Sequence, residues 1–181
     1  MSKNKITSGL KRREFIKSAG IATTGLAMAP GFSFPVVNAE KKIRIGWIGM
    51  GGRGVQIMRS ALATGLVDVV AVCDILEERN TIAQNIVVEA GQPKPEAYGR
   101  GPEDWKRMMD RNDLDSVICS GPLDLHAASM IRCMEKGIIG ASELPICDGI
   151  EEAWELIEVY HRTGVPFMML ENYIYRRFEQ L

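Results

Sequence analysis

The sequence has almost no excess of charge of either sign, because 22 lysines and arginines accompany 23 aspartates and glutamates, for a net charge of -1. A strongly basic surface, which nucleic acids and anionic membranes attract, is therefore not expected. Cysteine is also scarce: there are four, and no two of them form a C-x-x-C pair. Cys73 and Cys119 lie in apolar segments, which favours small buried side chains. A disulfide outside the cytoplasm stays open as the alternative.

Residues 19–35 are only weakly apolar. They contain threonine, glycine and proline and are shorter than the ~20 residues that span a bilayer, so no permanent membrane anchor is expected. The stretch follows Arg12-Arg13 and precedes V-V-N-A at residues 36–39. This order predicts a cleaved signal peptide over residues 1–39. The paired arginines resemble a twin-arginine export signal, which implies the twin-arginine machinery as a partner and a periplasmic or other extracytoplasmic location. The alternative is a basic amphipathic or disordered tail.

After residue 40, strand-like and helix-like segments alternate. Strands are predicted at residues 43–48, 67–73, 97–98, 115–120, 138–142 and 165–170. Helices are predicted at residues 55–63, 76–90, 102–109, 124–136 and 150–162. Several strands are unbroken apolar runs, which is typical of a parallel sheet covered on both faces. We therefore predict an α/β fold with a doubly wound parallel sheet and three αβα layers over residues 40–170.

A glycine-rich turn with the pattern G-x-G-x-x-G, residues 49–54, follows the first strand and opens the first helix. Gly49 allows the tight turn, Gly51 lets the backbone approach a pyrophosphate, and Gly54 lets helix and strand pack closely. The helix N-terminus adds free N–H groups and partial positive charge for phosphates. The turn predicts a Rossmann-type dinucleotide site, with a purely structural turn as the alternative.

Asp74 ends the second strand and follows Gly54 at the spacing expected for a ribose-binding carboxylate. Such a carboxylate accepts hydrogen bonds from ribose hydroxyls and repels a 2′-phosphate, which favours NAD over NADP. Arg79 nearby keeps NADP open as the less favoured cofactor. Asp74 could also cap the next helix, a role compatible with ribose binding.

Polar side chains also follow the fourth, fifth and sixth strands. They occur in L-D-L-H at residues 123–126, in Glu143-Leu144-Pro145 and in Asn172-Tyr173. Asp124 is expected to cap the following helix, and for His126 a structural and a ligand-binding role both stay open. Because carboxyl ends of parallel strands share one edge of a sheet, we expect these loops to converge on one dinucleotide cleft.

Taken in order, these motifs resemble the Gfo/Idh/MocA oxidoreductases over roughly residues 42–178. The resemblance implies an N-terminal NAD(P)-binding Rossmann domain and a sugar or cyclitol as substrate. It also implies that residues 171–181 begin a second α/β domain, which holds much of the substrate site. Dehydrogenases of this family usually have E-K-P where this chain has E-L-P, so Leu144 replaces a lysine that assists proton transfer.

One branch of the family, the family-109 glycoside hydrolases, is more similar. Its members are NAD-dependent α-N-acetylgalactosaminidases with E-V-P at this position, G-x-R-G in the glycine turn and M-M-x-E-N-x-x-Y after the sixth strand. This chain has E-L-P, G-R-G at residues 52–54 and M-M-L-E-N-Y-I-Y at residues 168–175. The resemblance implies oxidation at C3 of the sugar, which acidifies the proton on C2, then elimination of the aglycone, addition of water and reduction at C3, with no net redox change.

The resemblance also implies where individual residues lie. Gly52, Arg53 and Asp74 are expected at the adenosine and pyrophosphate end of the cofactor. The nicotinamide end is expected at Leu123, Asp124, Leu125, His126, Glu143, Leu144 and Asn172. No catalytic residue and no metal site is predicted. Three functions stay open: a sugar or cyclitol dehydrogenase, an NAD-dependent glycosidase, and a cofactor-binding fragment without activity; association into a homo-oligomer is also left open.

Overall fold

The computed structural model describes residues 41–173. The predicted signal peptide at residues 1–39 lies outside the described residues, as do residues 174–181 of the predicted second-domain segment. In the described part, no helix has the length and apolar character needed to cross a membrane.

Strands and helices alternate along the described chain, as the apolar pattern predicts. The strands are β1 (Ile43–Ile48), β2 (Val67–Cys73), β3 (Glu96–Tyr98), β4 (Ser116–Cys119), β5 (Ile139–Ser142) and β6 (Phe167–Met169). The helices are α1 (Gly52–Ala63), α2 (Glu77–Glu89), α3 (Asp104–Met108), α4 (His126–Lys136) and α5 (Ile150–Thr163). Gly137 and Gly164, at φ 72° and 68°, end α4 and α5 in the left-handed conformation that glycine favours.

Four of the five helix starts differ from the sequence prediction, by one to three residues, and two of these differences bear on the site. Helix α1 begins at Gly52, three residues early, because the first N–H groups of a helix need no intrahelical partner and glycine is tolerated there. Helix α4 begins at His126, because Leu123–Leu125 form a 3₁₀ turn closed by a 3.0 Å bond from the Leu125 N–H to the Pro122 carbonyl. Asp124 therefore lies in that turn, and the expectation that it caps α4 is wrong; Leu125 occupies the cap position.

All six strands of the sheet are parallel, in the order β3-β2-β1-β4-β5-β6. This is the doubly wound order, whose switch point lies between β1 and β4. The register sets Ile48 level with Cys73 and with Cys119, and Cys119 level with Ser142. The loops that follow these strands therefore leave the sheet at one edge.

Alternate residues of the strands enter two separate cores, one on each face of the sheet. On one face, Trp47 packs in a cluster with Met58 of α1 and Val87 of α2. On the other, Ile48 belongs to a cluster with Met130 of α4 and other side chains of α3 and α5. Two covered faces make the three αβα layers that the sequence predicts.

The four cysteines are free, and three of them are buried. Burial raises the pKa of both Cys73 and Cys133 to about 12, so these thiols stay protonated at neutral pH. The prediction of small buried side chains is confirmed for Cys73 and Cys119.

Candidate dinucleotide-binding site

The glycine turn between β1 and α1 touches the loop after β4. Gly49 has φ +82°, and a Cβ there would lie 2.4 Å from the backbone nitrogen of Gly121. At Gly54, a Cβ would lie 2.1 Å from the carbonyl oxygen of Gly49. A side chain at Gly49 would therefore push the two loops apart, and one at Gly54 would collide with the glycine turn itself, which is the structural reason for glycine at both positions.

The space above the start of α1, by contrast, is open. A Cβ at Gly52 would meet nothing within 4 Å, and one at Gly51 would meet only the Arg79 guanidinium, at 4.0 Å. Gly51 is the N-cap of α1 and offers no side chain to cap the helix. The first-turn N–H groups and the positive end of the helix dipole are thus available to an anionic ligand such as a pyrophosphate.

Asp74 holds the glycine turn from the end of β2. Its Oδ2 accepts a 2.8 Å hydrogen bond from the Met50 N–H, and its Oδ1 accepts a 3.0 Å bond from the Leu76 N–H. Helix α2 begins later, at Glu77, without a side-chain cap. The carboxylate therefore orients the turn, and its remaining lone pairs can accept from a ligand hydroxyl.

A first cleft of about 360 Å³ opens above the ends of β1, β2 and β4. Predicted site residues on its walls are Gly49, Gly51, Asp74, Asp124 and Leu125. Ile75, which is 66 % exposed, and Pro102 add apolar surface suited to a flat base. Trp105 also lines the cleft, and its buried Nε1 lacks a hydrogen-bond partner among the described residues.

A second, shallower cleft of about 210 Å³ lies beside α1 and the ends of β5 and β6. It is lined by three predicted site residues, Arg53, Glu143 and Asn172. The Arg53 Nε donates a 3.1 Å hydrogen bond to the Glu143 Oε1. Arg53 was expected at the pyrophosphate end, but its long side chain extends to the carboxylate at the other end. Eight of the thirteen predicted site residues thus line two separate clefts, and Gly52, Gly54, Leu123, His126 and Leu144 line neither.

His126 lies beneath the loops. The ring is 4 % exposed; Nδ1 lies 2.7 Å from the Pro145 carbonyl oxygen and Nε2 3.1 Å from the Gly121 carbonyl oxygen. Both ring nitrogens are therefore engaged by the protein, which favours the structural alternative. Leu144, by contrast, is 43 % exposed, and its peptide bond to Pro145 is cis. Leu123 is half-buried in the 3₁₀ turn.

Two residues that sequence reasoning missed shape the first cleft. The Ser120 hydroxyl donates to the Gly49 carbonyl at 2.9 Å and accepts from the Trp47 indole N–H at 3.0 Å. Asp104 accepts from the backbone N–H groups of Gly99 and Arg100, at 2.7 and 3.0 Å, just before Gly101 on the cleft wall. A polar residue at the end of an apolar strand was the available signal for Ser120; nothing in the local pattern marks Asp104.

The Asp104 carboxylate is held firmly in its charged form. Arg107 donates to it from Nε at 2.7 Å and from Nη2 at 3.1 Å. These bonds, helped by the two backbone N–H groups, lower the pKa of Asp104 to about 2. The loop at residues 99–101 is therefore fixed by a charged group throughout the neutral pH range.

The residues present fit a dinucleotide. The turn has the close loop contact, the open helix start and the carboxylate that such a ligand requires. Among residues 41–173, no group of three or more histidine, cysteine or acidic side chains could hold a metal ion.

Curated relatives of the chain include glycosidases. It is 34% identical over 170 residues to a glycosyl hydrolase family 109 protein of Stenotrophomonas maltophilia, covering 93% of this chain and 37% of the relative. It is 39% identical over 137 residues to an α-N-acetylgalactosaminidase of Bacteroides fragilis, covering 75% of this chain and 32% of that enzyme. The chain thus spans about a third of the length of these relatives.

Solved structures with the same fold include dehydrogenases. The WlbA dehydrogenase of Bordetella pertussis, in complex with NADH and UDP-GlcNAcA, superimposes with a TM-score of 0.65 at 18% identity, over 77% of this chain and 40% of that one. Myo-inositol 2-dehydrogenase of Lactobacillus plantarum superimposes with a TM-score of 0.66 at 23% identity, over 76% of this chain and 38% of that one. At these identities the likeness concerns the fold.

The family model described as "Oxidoreductase family, NAD-binding Rossmann fold" matches residues 43–171, which is most of the chain and nearly all of its described part. Its boundaries enclose the sheet, the glycine turn, the first cleft and all of the second cleft except Asn172. On this match, and on the geometry of the turn, the chain belongs to the Gfo/Idh/MocA oxidoreductase family, of which it is an NAD-binding Rossmann domain.

Proposed function

We propose that this chain is the NAD-binding part of a sugar-active enzyme, and that its chemistry is glycoside cleavage with retained NAD. Leu144 is the observation on which the proposal depends. An exposed apolar side chain stands at the cofactor edge, beside Glu143, where family dehydrogenases usually have a proton-transferring lysine. The names of the two curated relatives, at 34% and 39% identity, support the same chemistry.

The chain's own residues would bind and orient the cofactor. N–H groups of the first turn of α1, at Gly52 and Arg53, would hold the pyrophosphate, and Asp74 would accept the ribose hydroxyls. The second cleft, with Glu143 and Asn172, would take the nicotinamide end. Bound NAD would supply the acceptor and the donor of hydride for the sugar carbon.

Leu144 limits what this part of the enzyme can do. Its side chain has no proton to give or accept, so acid–base catalysis would have to come from other groups. Its apolar surface would cover the nicotinamide end without offering a proton, which suits a cofactor that returns its hydride to the same sugar.

A sugar or cyclitol dehydrogenase is the second candidate, favoured by the sugar-nucleotide and inositol dehydrogenases with the same fold. The two candidates differ in the fate of the cofactor. A dehydrogenase accumulates NADH in proportion to product, whereas the glycosidase releases aglycone with none.

The test uses protein purified from its own organism, incubated with NAD and p-nitrophenyl α-N-acetylgalactosaminide. We expect nitrophenol release without net NADH. NADH formed in step with product would contradict glycosidase chemistry and favour the dehydrogenase. NAD binding by calorimetry without turnover of any sugar tested would favour the binding fragment.

We also propose that the protein is exported by the twin-arginine route to an extracytoplasmic location. The support is the sequence order of Arg12-Arg13, a weakly apolar stretch and a small-x-Ala site before residue 40. The measurement is the cellular location of the protein after both arginines are replaced by lysine.

A further inference from the structure

One peptide of the glycine turn is held at both ends by side chains from neighbouring strands. The Gly49 carbonyl oxygen accepts a 2.9 Å hydrogen bond from the hydroxyl of Ser120, which directly follows β4. The N–H of the same peptide, on Met50, donates at 2.8 Å to the carboxylate of Asp74, which directly follows β2. Because β2 and β4 lie on either side of β1 in the sheet, the two strands together fix the orientation of this peptide.

The buried Trp47 indole sets the direction of the bond from Ser120. An indole N–H can only donate, so the Ser120 oxygen accepts its 3.0 Å bond and the hydroxyl proton goes to a carbonyl group. Two carbonyl oxygens are within reach, that of Gly49 at 2.9 Å and that of Ile48 at 3.3 Å. The Ile48 carbonyl already accepts a 2.8 Å bond from the Ser120 N–H, so the hydroxyl proton is directed to Gly49.

The glycine turn has little means of its own to fix this peptide. Gly49, Gly51 and Gly52 have no side chain, and glycine tolerates a wide range of backbone angles. Within residues 41–173, the Ser120 hydroxyl is the one hydrogen-bond donor that reaches the Gly49 carbonyl. Turning the peptide over would bring its carbonyl oxygen to the side of the Asp74 carboxylate and displace the N–H groups at the start of α1 from positions that suit a pyrophosphate.

We propose that Ser120 is a positioning residue for the cofactor, acting through the Gly49–Met50 peptide rather than through a contact of its own. The inference rests on the proposed binding of NAD in the first cleft. The hydroxyl keeps the peptide in the orientation that presents the start of α1 to the pyrophosphate. Trp47, which is completely buried in the core below the turn, keeps the hydroxyl directed at that peptide.

The effect of Ser120 on stability can be separated from its effect on the cofactor, because the hydroxyl serves two different partners. Ser120→Ala leaves the buried Trp47 N–H without an acceptor, which destabilises the fold. In a chain that also carries Trp47→Phe there is no such N–H, so Ser120→Ala should cost much less stability. The Gly49 carbonyl loses its donor in both cases, so the loss of cofactor affinity should be the same in both.

The experiment compares the 181-residue chain with Ser120→Ala, Trp47→Phe and the double variant. Urea denaturation gives the free energy of unfolding, and calorimetry gives the dissociation constants of NAD and of ADP, which has a pyrophosphate but no nicotinamide. The pair of chains with Trp47→Phe stays informative if Ser120→Ala alone is too unstable to measure. Ser116→Ala is the matched control, because the Ser116 hydroxyl donates to the Ile139 carbonyl at 2.8 Å at the other end of β4.

We expect Ser120→Ala to weaken the binding of NAD and of ADP by the same factor, about fivefold, which is the size of one lost hydrogen bond. The factor should be equal with and without Trp47→Phe, and Ser116→Ala should change neither affinity.

Three results would overturn the role of Ser120 while leaving the proposed function intact. Unchanged affinities in Ser120→Ala would show that the hydroxyl does not matter for the cofactor. A loss confined to NAD would show a direct contact with the nicotinamide half. An affinity that recovers together with stability when Trp47→Phe is present would show a structural role alone. Failure of the unchanged chain to bind NAD would instead refute the proposed function itself.

Discussion

His126 connects two loops that both border the cofactor edge. Its ring reaches the carbonyl oxygen of Gly121, after β4, and that of Pro145, after β5. The backbone of the E-L-P segment thus depends on a side chain from another element. The L-H pattern after β4 leaves a structural and a ligand-binding role open for His126, and its contacts with the two loops favour the structural one.

We predict that His126→Ala lowers the free energy of unfolding by about 2–4 kcal/mol, because a loop carbonyl group loses the N–H of the buried ring and a cavity remains. The chain offers a matched control in its second histidine, His161, which is exposed on α5. His161→Ala should change stability by less than about 0.5 kcal/mol. Urea denaturation followed by circular dichroism compares the two. Equal effects would show that the ring does not connect the loops.

At the scale of the element, α3 is short and depends on its first residue. Asp104 accepts from Gly99 and Arg100 in the loop before the helix, and Arg107, one turn later, neutralises its charge. Helix α3 and the cleft wall at residues 99–101 are therefore one unit held by a single carboxylate.

Because Asp104 holds this unit in its charged form, we predict that the stability of the fold depends on pH in the acid range. The pKa of Asp104 is about 2 in the folded chain, below its ordinary 3.8. The carboxylate therefore stabilises the fold fully above pH about 4, and this contribution, on the order of 2 kcal/mol, is lost as the pH falls toward about 2. Asp104→Asn should be less stable at neutral pH and should lose less stability over that interval.

Stability is measured by urea denaturation at several pH values between about 2 and 7. Arg107→Gln, which removes the main cause of the lowered pKa, should flatten the same part of the curve. If the stability of Asp104→Asn fell with decreasing pH as steeply as that of the unchanged chain, Asp104 would not be the group that titrates in this range.

Element order and sheet type could be predicted from sequence because each depends on local pattern. Apolar runs identified the strands, and glycines identified the turn at Gly49 and the helix ends at Gly137 and Gly164. The contacts of the site could not be predicted in the same way. Arg53 and Glu143 are 90 residues apart, and Trp47 and Ser120 are 73 apart. No local pattern shows that such side chains meet; only the parallel register does.

At the scale of the whole molecule, the order of the strands in the sheet decides which loops form each cleft. The loops after β1 and β2 form the first cleft with the loop after β4, and those after β5 and β6 form the second. Arg53 reaches from the glycine turn to Glu143 and so connects the two clefts. A cofactor in both clefts would contact loops from most of the chain, so cofactor binding should depend on the complete fold.

The export proposal links that fold to the N-terminal residues, because the twin-arginine route transports folded proteins. We predict that replacing both Arg12 and Arg13 by lysine retains the protein in the cytoplasm of a bacterium that has this pathway, although the positive charge is unchanged. Lys11→Arg, which keeps the pair intact, should be exported normally. Fractionation with antibody detection gives the location, and the size of the exported form shows whether residues 1–39 have been removed. Export of the double-lysine variant at the normal level would contradict the twin-arginine route. The destabilised variant His126→Ala tests whether export requires the folded domain. If it does, this variant should be exported less than His161→Ala, although both keep the same N-terminus.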